Sequence, residues 1–167
     1  KEDRIIKKTL EVPRIGVRFR LPAQMDNIQY FGRGPEENYI DRYKGTLVGL
    51  YKAKAWDLYH PYVRPQENGH HIDTRWLSSI DNSGDGLLII GANPIGFNVL
   101  RNSVEDFDSQ ESDAPYQWGN FSKEEIENRN EAEAKDLMRK QTHAKDIKPR
   151  DFVEICLDWR QQGVGGY

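Results

Sequence analysis

Three sets of residues in this chain have the types that chemistry uses. His60, Glu67 and the adjacent pair His70-His71 fall within one short stretch. Neighbouring side chains on a strand point to opposite faces, so two successive histidines do not share one ion. Zinc motifs of the HxxEH kind need helical spacing, which Pro65 and Gly69 oppose. No metal site is expected, and hydrogen-bonded histidines are the simpler reading. Paired acids occur at Glu36-Glu37 and Glu124-Glu125. A glycosidase holds two carboxylates about 5 Å apart for retention and about 6.5–9.5 Å for inversion, which sequence neighbours do not supply by themselves. Glu36-Glu37 follows a proline turn and is expected to hydrogen-bond its own loop. Glu124-Glu125 falls in the first turn of an expected helix, where acid complements the dipole.

The third set is aromatic. Trp76 with Arg75, His71 and Glu67, and Trp118 in the run Tyr116–Gly119, supply the flat faces and polar groups that bind a sugar ring. The competing fate of a tryptophan on an alternating strand is the core. Core is expected for Trp159, and the two fates are balanced for Trp76 and Trp118. The chain has no GxSxG, no P-loop and no GxGxxG, and Cys156 has no activating neighbour in sequence, so nucleophilic and nucleotide chemistry are unsupported.

Composition narrows the partners. With 24 basic and 27 acidic residues the formal charge is −3, which leaves no surplus of cations to displace counterions from a phosphate backbone. Nucleic acid is not expected. No run approaches the roughly 18 apolar residues of a membrane helix, no signal-peptide pattern opens the chain, and no membrane partner is expected. A single cysteine excludes an internal disulfide framework. Hydrophobic residues make up 37%, which predicts a lean core with long polar segments.

These residues must be positioned by strands. Ile15, Val17, Phe19 and Leu21 alternate with polar positions up to Pro22, a half-buried strand. Ile28, Tyr30 and the GRGP run Gly32–Pro35 predict its hairpin partner and a tight turn. From Pro35 to Asn68 the chain is polar and aromatic without a clear period, and long structured loops are expected. A strand is expected at His71–Leu77, a turn at Asp81–Gly86, and a further hairpin from LLIIG and IGFNVL around Asn93-Pro94. Residues 105–150 read as a charged loop and helix inserted into a single domain spanning 1–167. The capping-box spacing Ser122 to Glu125 opens a surface helix over 123–141 with a thin stripe of Ile126, Ala134, Leu137 and Met138. Asp151–Arg160 alternates Val153, Ile155, Leu157 and Trp159 with polar residues, a strand leading into a glycine-rich turn.

Longer motifs carry a resemblance. VPRIGVRFRLP from Val12, YFGRGPEENYIDR from Tyr30 to Arg42, YHPYVRPQENG from Tyr59 to Gly69, TRW at Thr74–Trp76 and GVGG at Gly163–Gly166 together resemble the C-terminal domain of lac-type, glycoside hydrolase family 2 β-galactosidases. The resemblance covers most of residues 11–105 and 143–166. It implies an all-β antiparallel supersandwich of the galactose mutarotase type. It further implies a retaining β-galactosidase whose catalytic glutamates lie in a separate barrel, so this domain is expected to be non-catalytic, to pack on that barrel and to shape the active-site mouth. Neither Glu36 nor Glu37 corresponds to a catalytic carboxylate. The implied partners are the barrel and other domains of the same chain, galactosides, and further copies in a homo-oligomer. Magnesium or sodium used by such enzymes lies near the barrel, so no cofactor is expected here. The resemblance also implies a C-terminal truncation before a family tryptophan that follows the GVGG turn; it does not choose between bacterial cytoplasm and periplasm. The alternative function is an autonomous carbohydrate-binding or mutarotase-like domain, for which His71 and Glu67 are the acid–base pair to test.

Overall fold

A computed structural model describes residues 14–62, 67–107 and 147–161. Six strands form one antiparallel sheet: β1 (Arg14–Pro22), β2 (Asn27–Gly34), β3 (Leu47–Lys54), β4 (His71–Ile80), β5 (Gly86–Leu100) and β6 (Phe152–Gln161). Their spatial order is β1-β6-β5-β4-β2-β3. The fold is all-β and antiparallel, as a β-sandwich requires. The expected helix over 123–141 and most of the 105–150 insertion lie outside the described residues.

One face of the sheet carries the core. Ile28 and Tyr30 of β2, Leu77 of β4, Phe97 and Val99 of β5, and Val153 and Ile155 of β6 are buried together, with Phe19, Leu21, Tyr51 and Ala53 packed at their margin. Alternation produces this directly, since residues two apart share a face and each such side chain buried contributes about 1.5–3 kcal/mol. Tyr30 meets Phe97 and His71 edge-on, while His71 stacks on Phe97 at 5.0 Å and 13°. A second cluster joins Leu100, Phe107 and Ile147 to Trp56 and Tyr59. Beside it Arg150 N–H donates to the Arg101 carbonyl, and the Arg101 guanidinium donates back to the Arg150 carbonyl. Residues 101 and 150 are thereby held together across the intervening segment.

Several sequence expectations change. β1 and β2 are not a hairpin: β1 pairs with β6, and β2 lies between β3 and β4. Alternation identifies a strand but not its partner. Gly32 is not in a turn but inside β2, where a Cβ would lie 2.9 Å from the Thr74 Cα. Residues 47–54, expected as loop, form edge strand β3, whose Gly49 and two lysines obscure its period. Asn93-Pro94 marks no reversal, because β5 continues from Gly86 to Leu100 with a register irregularity there. The true hairpin joins β4 to β5 through the Asp81 turn, where Asp81 Oδ1 accepts the N–H groups of Ser83 and Asp85. Trp159 is not core but 79% exposed. A register skip leaves it opposite no residue of β1: Gly16 pairs with Asp158 and Ile15 with Arg160.

Candidate functional site

The two long motif loops are fastened to each other. The Glu37 carboxylate accepts the N–H of Gly69 at 2.8 Å, and also accepts from Arg42 and from the Tyr62 hydroxyl. Asn38 donates to the carbonyls of Arg33 and Glu36, accepts from the N–H of Ile72, and bonds His70 through its backbone. Asn68 closes its own loop by accepting from His60 N–H and donating to the His60 carbonyl. Glu37 bonds Arg42 within its own loop, as expected, and reaches Tyr62 and Gly69 of the other loop as well, while Glu36 is exposed. The pair Glu124-Glu125 lies outside the described residues.

Behind these loops sits a buried ionic network. Arg14 donates from Nε to Asp158 Oδ1, from Nη1 to Glu67 Oε2, and from Nη2 to Asn98 Oδ1 and Asp158 Oδ2. Asn98 and Asp158 are the polar alternates of the core residues Phe97 and Leu157, so the network occupies the reverse side of β5 and β6. Burial pushes the Glu67 carboxyl up, against the pull of Arg14 and the Asn98 hydrogen bond. The Cys156 thiol beside it is pushed up to about 12 by burial, which leaves it protonated and inert.

His70 and His71 part company at the start of β4: His71 is its first residue and His70 precedes it. His71 lies in the core, with its ring nitrogens facing the carbonyls of Gly69 and Pro35. His70 stacks on Tyr39, and its Nδ1 lies 2.8 Å from Asn98 Oδ1. Both Asn98 amide protons are already given to Glu67 and to the Asn68 carbonyl, so His70 Nδ1 is the donor and Nε2 keeps a free lone pair. Burial lowers the His70 pKa to about 3, so the ring is neutral near pH 7. Nε2 is directed at Gly96, where a Cβ would come within 2.6 Å of it. Beyond Gly96 opens a cleft of about 350 Å³ walled by Arg33, Tyr43, Asp73, Pro94 and Trp159.

The residues singled out from sequence do not converge. Trp76 lies on the sheet face opposite the core, paired with Phe31 and Ile90, and Arg75 sits over the Phe31 ring at 5.6 Å. His71 is under Tyr30 in the core, whereas Glu67 is bound to Arg14 and Asn98. Trp118 lies outside the described residues. Of the residues at the cleft, His70 is weighed in the sequence only as half of a histidine pair for a metal and Trp159 only for the core, and Asp73 carries no expectation. No local signal joins them, because the cleft depends on register irregularities invisible in composition. Among the described residues no group of three or more His, Cys, Asp or Glu is placed to hold a metal ion.

Comparison with known proteins places these motifs. A family model described as "Beta galactosidase small chain" matches residues 2–167. A β-galactosidase of Priestia megaterium is 32% identical over 156 residues, 93% of this chain and 12% of that protein. One from an Arthrobacter species is 38% identical over 103 residues, 58% of the chain and 10% of that protein. One from Streptococcus thermophilus is 35% identical over 112 residues, 62% of the chain and 11% of that protein. The chain thus spans about a tenth of the length of these curated relatives.

Proposed function

Because the chain belongs to the β-galactosidase small-chain family, we propose that it serves as a non-catalytic domain of a β-galactosidase, docked on the catalytic part and shaping the mouth of the active site. The intact enzyme then hydrolyses terminal β-D-galactosides with carboxylates outside this chain, and further copies complete a homo-oligomer. One observation carries the docking reading. Leu50, Phe31, Trp76 and Ile90 stand side by side across β3, β2, β4 and β5 on the face away from the core. Leu50 is 60% and Ile90 72% exposed, and Leu88 and Val48 widen the strip. A contiguous apolar strip on one sheet face is the mark of a surface that another protein layer covers. This accounts for Trp76 as part of an interface ladder.

The test is charge insertion in the full-length enzyme. Ile90→Glu and Leu50→Glu place carboxylates where exposure is already high, so they leave this sheet's own folding nearly unchanged. Reduced activity on a nitrophenyl galactoside together with looser association between domains, read by limited proteolysis, is the expected result. Full activity with unaltered proteolysis in both variants defeats the docking reading. No observation favours the mutarotase-like alternative through His71 and Glu67, since one lies in the core and the other is held in the ionic network.

A further inference from the structure

Three adjacent strands break their register at the same place. On β6, Trp159 is the extra residue between the pairs Gly16–Asp158 and Ile15–Arg160. On β4, the step from His71–Phe97 to Thr74–Ile95 leaves one residue too many, and Asp73 takes φ of +54° there. On β5, the step from Thr74–Ile95 to Trp76–Ile90 leaves the stretch containing Asn93-Pro94 outside the ladder. Since β6, β5 and β4 are neighbours, all three irregularities border the cleft over Gly96. Bulges re-aim side chains, and positive φ in a residue other than glycine is an uncommon conformation that the surroundings must enforce.

The side chains aimed there form a set. Trp159 offers an exposed indole. Arg33 donates from Nε to Asp73 Oδ2 at 2.6 Å and from Nη1 to the Thr46 carbonyl, with its guanidinium over the Tyr43 ring at 4.8 Å. These bonds fix both charges in orientation without removing them from the cleft wall. At the floor His70, itself 1% exposed, borders the cleft with Nε2 against Gly96, where any side chain would come within 2.6 Å of it. The ligand chemistry that fits an aromatic face, a held carboxylate, a held guanidinium and a neutral imidazole acceptor is a ring bearing several hydroxyls. It stacks its C–H face on the indole and donates O–H groups to the acceptors. The volume suits a molecule of one sugar ring, at the small end of ligand pockets.

We propose that this cleft is a binding site for a pyranose, with Trp159 as the stacking platform, His70 Nε2 accepting one hydroxyl at the floor, and Asp73 with Arg33 binding others at the wall. The site is distinct from the apolar ladder of Trp76. The choice of galactose as the first probe rests on the family reading, while the cleft itself does not.

The experiment places a single 3-fluorotyrosine at position 43 of the full-length protein and follows its fluorine resonance during titration with galactose, glucose and glycerol. The expected result is a saturable shift with one of the sugars at a dissociation constant on the order of 1 mM, and none with glycerol. Trp159→Ala, at an exposed position, and Gly96→Ala, which sets a methyl group against His70 Nε2, are each expected to weaken it at least tenfold. If Gly96→Ala does not fold, Trp159→Ala alone decides. No saturable shift with either sugar up to about 100 mM, or an unchanged affinity in Trp159→Ala, overturns the proposal. Binding here with no effect of the Ile90 and Leu50 charges would leave the cleft standing and the docking surface refuted; the opposite pattern does the reverse.

Discussion

Arg14 holds Asp158 by two parallel hydrogen bonds, Nε to Oδ1 at 2.7 Å and Nη2 to Oδ2 at 2.6 Å, across the joint between β1 and β6. The Asp158 side chain is 2% exposed, so Arg14 supplies the hydrogen bonds that water cannot. Arg14→Met keeps an unbranched apolar stem and removes the charged guanidinium. Breaking a buried pair from one side costs about 3–5 kcal/mol, because the stranded carboxylate must be desolvated alone. Urea denaturation should show a loss of this size. A loss below about 1 kcal/mol would mean that Asp158 is solvated.

Glycine is required inside β2. An alanine methyl at Gly32 would stand 2.3 Å from Thr74 Oγ1 and 2.9 Å from the Thr74 Cα. The hydroxyl can rotate away, but the backbone of β4 cannot do so without parting from β2. Gly32→Ala should therefore destabilise by about 1–3 kcal/mol, the range for overpacking. Gly45→Ala, whose Cβ would meet nothing within 4 Å, is the matched control and should be within about 0.5 kcal/mol of the parent in thermal melts.

Acid should weaken the fold through its histidines. His70 has a pKa of about 3 when folded and about 6.5 when unfolded. Between these values the unfolded chain binds a proton that the folded chain refuses. Stability from this group is complete above pH 6.5 and falls as pH drops toward 3, with about 2 kcal/mol gone by pH 5. Burial lowers His71 as well and acts in the same sense, whereas the raised Glu67 acts in the opposite one. Urea midpoints from pH 7.5 to 4.5 test the slope. His70→Gln should flatten that slope by the share His70 contributes; a slope unchanged in His70→Gln would show that His70 is not a buried neutral ring.

The loop clasp is also testable. Removing the Glu37 carboxylate leaves the buried Gly69 N–H without an acceptor, a penalty of about 1–3 kcal/mol. Glu37→Ala should lower stability by this amount and hasten hydrogen exchange at the Gly69 amide, while Glu37→Gln, which keeps an acceptor oxygen, should fall between. Unchanged exchange in Glu37→Ala would detach this residue from the Gly69 loop.

What could be read in advance follows a physical boundary. β4 and β6 are legible because a period of two survives wherever one face is buried; β1 shows the same period, but only Phe19 and Leu21 reach the core, while Ile15 and Val17 are 55% and 61% exposed. The partner of β1 is not legible, since pairing with β6 depends on tertiary order. Trp159 was assigned to the core because its place in the alternation fits, and one unpaired residue on β6 was enough to move it out. The proline turn points to the bond of Glu37 with Arg42 in its own loop, but not to its bonds with Tyr62 and Gly69 of the other loop. The Trp76, Arg75, His71 and Glu67 grouping failed as a convergent site because two of its members follow different faces of the sheet and a third lies in the loop ahead of it. His70, Asp73 and Trp159 meet only because three strands slip register together, and no single segment records that coincidence.

The partnership of β1 with β6 sets an order of events during synthesis. Pro22 pairs with Phe152, so at about 5–20 residues per second a ribosome needs on the order of ten seconds between making the first of these strands and the second. Throughout that interval β2 to β5 can assemble, while Ile15, Val17, Phe19 and Leu21 wait without the neighbour to which they are hydrogen-bonded in the finished sheet. A nascent chain in this state leaves β1 without its hydrogen-bonding partner, an open strand edge carrying Phe19 and Leu21, until the ribosome has made β6.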